Sequence, residues 1–317
     1  MTNITAPSRR HLLLAAGAIC AAPAIVRAQG RPVLNVGNQR STLRALLEGA
    51  GQLDGLPYTI DWKEFIAAQP ILEAMQADAV DIAQIGDINL FSVASFGAPF
   101  KGIATTRSTG ASHALIVPQN STLRSVADLR GKNIASVRGG WTHYSMLRIL
   151  EAHGLKARDV RVSWINPADS ALAFRAGQID AWSVWGALTS IEVQQYGARI
   201  LATAENLVPA AAFTTVKASA IPAKRELFQD FSRRVDRATA WGLENPAEYA
   251  RLTAALIRQP AEALEWTFRV DRVRATPLDD AALRGYQDQA DKLLEYGIIN
   301  RSIRVTDIID RSFTPSA

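Results

Sequence analysis

The chain has 317 residues, 48% hydrophobic and 21% charged, with 35 Lys plus Arg against 30 Asp plus Glu, for a formal net charge of +5. This is the balance of a globular protein with room for two domains, and it excludes a disordered or low-complexity chain. A single cysteine, Cys20, excludes a disulfide framework.

The first element is a targeting pattern. Arg9 and Arg10 precede an apolar run, 12–22, that is too short to span a bilayer and is followed by Val26-Arg27-Ala28, an A-x-A-like cleavage site. Ser8-Arg9-Arg10 points to a twin-arginine export signal, with a general secretory signal as the alternative. Cys20 follows the bulky Ile19, which disfavours a lipoprotein anchor, so it reads as part of the apolar run. Residues 1–28 are therefore expected to be a signal peptide. They carry Arg9, Arg10 and Arg27 and no acid, so the net charge without them is about +2 and a nucleic-acid partner loses its main support. The remaining chain has no cysteine, and His113, His143 and His153 lack ligand-like spacing, so neither a thiolate nucleophile nor a metal site is expected. No later segment is long and apolar enough to cross a membrane. The reading is of a soluble exported protein of about 290 residues.

Strands and helices then alternate. Residues 33–37 (VLNVG) read as a buried strand, and 41–51 as a helix with Leu43, Leu46 and Leu47 at helical spacing. Residues 58–65 alternate as a strand, 69–78 form a helix with Pro70 in its first turn, and 79–86 the next strand. This order predicts right-handed βαβ units on a parallel sheet. It recurs with strands over 132–140, 159–165 and 178–186 and helices over 142–153 and 168–177. A shift of 99 residues places Met75 on Phe174, Val80 on Ile179 and Asp81 on Asp180, so one structural step is used twice. A single doubly wound domain is the alternative. The passages at 111–131, through Pro118, and at 209–222 instead look like two crossings that bracket a second lobe. The expected division is 29–117 with 217–317 as lobe 1 and 118–216 as lobe 2. The chain after Pro222 reads as mostly helical.

In parallel α/β sheets ligands gather beyond the carboxyl ends of strands. Four loops leave such ends: Asn38-Gln39-Arg40-Ser41, Gly86-Asp87-Ile88-Asn89, Gly139-Gly140-Trp141-Thr142 and Trp185-Gly186-Ala187. The first three open helices, whose unpaired N–H groups favour an anion. Thr142 either caps its helix or offers its hydroxyl to a ligand; Asp87 either caps or joins the site. His143 could donate to an anion, and Arg40, Arg107 and Arg138 could pair with one. Trp141 and Trp185 supply apolar walls, with Trp182 left to the core. Replacing Thr142 with Val, or Gly140 with a bulky residue, is expected to weaken binding with little loss of stability. No paired carboxylates, G-x-S-x-G or Walker loop is present, so no catalytic residue is assigned.

LNVGNQRS (34–41), EFIAAQPILEAMQADAVDIAQIGDINL (64–90), STLRSVADLRGKNIASVRGGWTHYSMLRILEAHGL (121–155), NPADSALAFRAGQIDAWSVWGAL (166–188) and ADKLLEYGII (290–299) stand in an order and spacing that resemble the periplasmic aliphatic sulfonate- and taurine-binding proteins of ABC importers. The resemblance implies a type II periplasmic-binding-protein fold, two α/β lobes around a hinged cleft with a helical C-terminal region. It implies a non-enzyme acting as a monomer without cofactor, which captures a small organic anion, most simply an alkanesulfonate, for an inner-membrane ABC permease. Nitrate, an aromatic carboxylate, taurine or a vitamin precursor are the alternative ligands, and an enzyme on this fold is disfavoured by the missing cysteine. The family's ligand loops fall on Gln39, Gly86, Asp87, Gly140, Trp141, Thr142, His143 and Trp185, with Arg40 adding a cation nearby. One departure stands out: the family's Trp-Asp-Pro is here Trp185-Gly186-Ala187, which removes a carboxylate suited to taurine's ammonium.

Overall fold

The computed structural model describes residues 31–313 apart from residue 41; the expected signal at 1–28 lies outside them. The first half runs β1 (Val33–Gln39), α1 (Thr42–Gly49), β2 (Thr59–Phe65), α2 (Ala68–Gln76), β3 (Ile82–Gly86), α3 (Asp87–Ser95) and β4 (Phe100–Arg107). The chain then crosses to a second unit: β5 (Ala114–Val117), β6 (Asn133–Ser136), α4 (Trp141–Ala152), β7 (Arg161–Trp164), α5 (Pro167–Arg175), β8 (Ala181–Val184), α6 (Gly186–Tyr196) and β9 (Arg199–Thr203). It returns as β10 (Ala211–Lys217), then α7 (Ile221–Glu244), α8 (Pro246–Ile257), α9 (Ala261–Asp271), β11 (Arg274–Thr276), α10 (Asp280–Glu295) and α11 (Val305–Ile308).

Several helices form where apolar residues recur on one face. In α1 these are Leu43, Leu46 and Leu47; in α2, which accepts Pro70 in its first turn, Ile71, Leu72 and Met75; in α7, Phe228, Phe231, Val235 and Ala238. These stripes close two hydrophobic layers. Leu34 and Val36 of β1 meet Phe228 and Phe231, while Ile134 of β6 joins Ile149 and Leu150 of α4. Trp182 sits in a third cluster against Phe174, ring centroids 5.9 Å apart, as core.

The strands form two sheets, ordered β11-β4-β10-β3-β1-β2 and β7-β6-β8-β5-β9. β1 pairs parallel with β2 and β3, and β6 parallel with β7 and β8, as the βαβ pattern predicts. Neither sheet is wholly parallel. β10 runs antiparallel between β3 and β4, and β5 antiparallel between β8 and β9, because each arrives from the other half of the chain. The short edge strand β11 is not anticipated in the sequence, where three residues carry no periodicity.

Sheet membership also moves the expected boundaries. Residues 114–117 pair with β8 and β9, so the first crossing is 108–113 rather than Pro118; the return is 204–210, and β10 belongs to the first sheet. Pro118 marks the end of a strand, and a strand's local sequence does not say which sheet it joins. The two crossings are bonded side by side, Ser108 N–H to Ala210 O at 2.9 Å and Ala204 N–H to His113 O at 2.8 Å.

The repeated step is visible atom for atom. Asp81 accepts the Asn35 amide at 2.9 Å and returns its own N–H to Asn35 O at 2.8 Å. Asp180 does the same with Asn133, at 2.8 and 2.9 Å. This pair ties the entry to β3 to β1 in the first half, and the entry to β8 to β6 in the second.

Candidate functional site

The carboxyl ends of β1, β3, β6 and β8 face a cleft of about 580 Å³, within the range of small-ligand sites. The first sheet contributes Gln39, Gly86 and Asn89, with Ala67 and Ala68 beside them; the second contributes Val137, Gly140, Trp141, Thr142 and Trp185. Ser108, His113 and Ala210 enter from the crossings, and Thr106, Ala211, Ala212 and Val273 complete the wall. A larger hollow of about 670 Å³ lies behind the crossings, between α4 and α10; none of the four strand-end loops reaches it, and its mixed charges (Arg148 and Lys292 against Asp288 and Asp291) suit no single ligand sign.

The turn into α4 is built to stay open. Gly139 has φ +75°, a conformation that costs little only for glycine, and Gly140 is extended at the N-cap, where a Cβ would meet nothing within 4 Å. No side chain caps α4, nor α3 behind its N-cap Gly86, nor α6 behind Trp185. Thr142, 2% exposed, does not cap: its Oγ1 accepts the Val137 N–H and the Ser136 hydroxyl, both at 3.2 Å, so it holds the turn from within while lining the cleft. His143 stands behind the turn rather than in the cleft wall. Its Nδ1 accepts the Gly139 N–H at 3.3 Å, its edge meets Trp164 at 4.5 Å, and burial, helped by Arg138, lowers its pKa to about 4.

Trp141 bridges the lobes. Its Nε1 lies 3.4 Å from where a Cβ on Gly86 would stand, and its indole lies 5.2 Å, centroid to centroid, from the His113 ring. Trp185 is 37% exposed at the other side of the cleft. Gly186 takes φ +59° and donates its N–H to Ser112 Oγ at 3.3 Å, with only Thr267 near a would-be Cβ, at 3.9 Å.

Besides His143, two further expected residues do not line the cleft. Asp87 is fully buried and accepts N–H groups from Ile88 at 2.6 Å, Ala211 at 3.1 Å and the Gln289 side chain at 3.0 Å. Burial raises its pKa to about 7 against the pull of these donors and of Arg107. It ties α3 to β10 and α10 and does not line the cleft. Arg40 is exposed, with φ +52° and its amide on Phe65 O at 2.9 Å; its neighbour Gln39 lines the cleft instead. Arg107 donates to Pro209 O and Arg138 lies 4.4 Å over Trp164, so neither lines the cleft.

His113 is the residue that sequence reasoning misses. Its Nδ1 is sealed from solvent with no hydrogen-bond partner, and burial lowers its pKa to about 4, so the ring is neutral at physiological pH. The signal that could have found it is its place in a crossing, where a polar residue between two strands must face the cleft or solvent. Asn89 belongs to one of the four strand-end loops but carries no signal of its own in the sequence; it sits in the first turn of α3 and lines the cleft.

Among the described residues no charged side chain lines the cleft, and no group of three acidic, His or Cys residues stands close enough to hold a metal ion. Helix N-termini and neutral donors of this kind retain an anion that stays ionised, and they offer no counter-charge to an ammonium group.

Comparison with known proteins fits this geometry. A protein of Escherichia coli (strain K12) named for binding aliphatic sulfonates is 31% identical over 193 residues, 60% of either chain, so the match spans under two thirds of that relative. The alkanesulfonate-binding protein SsuA of Xanthomonas axonopodis pv. citri, solved bound to MOPS, superposes with a TM-score of 0.77 at 26% identity over 90% of this chain and all of that one. The periplasmic aliphatic sulphonate binding protein SsuA of Escherichia coli superposes at 0.81, with 24% identity over 88% and 92%. The architecture is therefore the two-lobed periplasmic-binding-protein fold. The sequence model described as NMT1/THI5 like matches residues 66–249, well over half of the chain, and the protein belongs to the NMT1/THI5-like family.

Proposed function

We propose that the protein captures a small organosulfonate in the periplasm and hands it to the permease of an ABC importer, acting as a monomeric binding protein and not as an enzyme. The observation that carries this reading is the cleft itself: helix N-termini and neutral donors meet there, with no charged side chain along the wall. A sulfonate is a strong acid's anion, ionised at every physiological pH, and needs dipoles more than a counter-ion. Gln39, Gly86 and Gly140–Thr142 surround the head group, and Trp141 and Trp185 flank the chain attached to it. Taurine is disfavoured, because its ammonium would find no carboxylate among the lining residues and Gly186 supplies none. Capture proceeds by closure about the paired crossings 108–113 and 204–210, the ligand biasing the closed state that a permease reads.

A thermal-shift panel tests this. A ligand at 100 times its Kd adds about 2.7 kcal/mol to stability. Alkanesulfonates are expected to raise Tm; silence from every sulfonate, with a shift from nitrate or a carboxylate, would overturn the reading.

A further inference from the structure

Beside the cleft lies a smaller cavity of about 120 Å³, walled by Leu243 of α7, Tyr249 of α8 and Phe268 of α9, with Leu46 of α1 at its base. Thr106 and Val273 line both this cavity and the cleft, so their side chains form the partition between them. Val273 is 37% exposed and stands at the mouth. The far wall is flat and firm: Tyr249 and Phe268 stack with centroids 4.2 Å apart and planes at 13°. At Gly242 a Cβ would come within 2.9 Å of Leu46, so the chamber is closed on that side. Among the polar lining residues, Thr239 donates its hydroxyl to Val235 O at 2.8 Å, and Gln84 of β3 brings a side-chain amide.

Resting on the sulfonate reading, we propose that this side cavity is a tail subsite, which takes the far end of an unbranched alkyl chain whose sulfonate lies at the helix N-termini of the cleft. An apolar cavity of about 150 Å³ admits benzene, so by size this one holds a segment of about four or five carbons. Each methylene that enters it tightens binding about fourfold. The subsite gives the protein a preferred chain length, set by the distance from the helix N-termini to the Tyr249–Phe268 wall.

The test is calorimetric titration of the full chain with an n-alkanesulfonate series from methane- to decanesulfonate. Wild type is expected to gain about fourfold per carbon once the chain passes Val273, and then to plateau. Leu243→Trp fills the cavity and should abolish the gain while methanesulfonate still binds. Leu243→Ala enlarges it and should move the plateau to longer chains. Identical chain-length profiles in all three proteins would overturn the tail subsite and leave sulfonate capture standing. No binding of any sulfonate to wild type would overturn sulfonate capture, and the subsite with it.

Discussion

The indole of Trp141 and the imidazole of His113 lie 5.2 Å apart, which couples the first turn of α4 to the segment that carries the chain between sheets. Ser112, next to His113, extends the coupling: its N–H and hydroxyl both reach Asp271 at the end of α9, and its carbonyl accepts from Thr189 of α6. One short crossing thus touches the helix that opens at the cleft, a helix of the second lobe and a helix of the C-terminal region. Under the proposed closure, a ligand that draws Trp141 inward would act directly on this crossing.

His113 lines the cleft without a charge. Nδ1 is sealed and unpartnered and the ring is neutral, so a ring protonated on Nε2 would offer that N–H to a ligand. His113→Phe keeps the ring against Trp141 and removes the donor. It should lower sulfonate affinity about tenfold while leaving stability unchanged or slightly raised, since a buried unpaired nitrogen disappears. Paired calorimetry and thermal melts check this; unchanged affinity would place His113 outside the ligand's reach.

Gly140 is the point at which side-chain bulk should block the site most cleanly. Its φ of −102° suits any residue, and nothing lies within 4 Å of an added Cβ. Gly140→Leu is expected to keep the melting temperature and lose at least about a hundredfold in affinity. Retained binding in a well-folded Gly140→Leu protein would move the head group away from α4.

Thr142→Val is predicted to cost stability, where the sequence alone led to an expectation of little loss. The hydroxyl is the acceptor for the partly buried Val137 N–H, so the variant should lose about 1 kcal/mol of stability, and its binding defect would come through a loosened turn. Thr142→Ser should restore both. Urea denaturation of the two variants separates these effects.

Asp87 makes stability depend on pH. Its pKa rises from 3.8 in the unfolded chain to about 7 in the fold, so between these values the native state holds the extra proton. Stability from this group is therefore present below about pH 4 and lost as pH climbs through about 7. His113 and His143, lowered from 6.5 to about 4, act with the opposite sign, and their penalty vanishes as pH rises through that window. Subtracting the wild-type curve from that of Asp87→Asn isolates the aspartate. The variant should gain on the order of 2 kcal/mol relative to wild type between pH 5 and 8. Parallel curves would mean that Asp87 does not titrate in this range.

The strand-end loops, the open glycine turn and the doubled Asp81/Asp180 step are legible because local spacing encodes them. Sheet membership is not: 114–117 reads the same whichever sheet receives it, and only pairing with β8 and β9 decides. The aim of side chains is hidden for a related reason. Asp87 and His143 are polar residues at helix starts, as a ligand site requires, yet Ala211 and Gln289 claim one and Gly139 the other. Those partners lie 4 to 202 residues away in sequence, and no local pattern announces the distant ones. His113 escapes notice because a crossing between sheets carries no periodicity.

Sulfonate capture in an uncharged cleft is tested most directly by titrating butanesulfonate, butyrate and taurine into the same protein under calorimetry. Butanesulfonate should bind, with butyrate and taurine each at least about tenfold weaker, the first for its poorer fit to the head-group cradle and the second for its unpaired ammonium. Taurine binding as tightly as butanesulfonate, or butyrate binding where butanesulfonate does not, would contradict it.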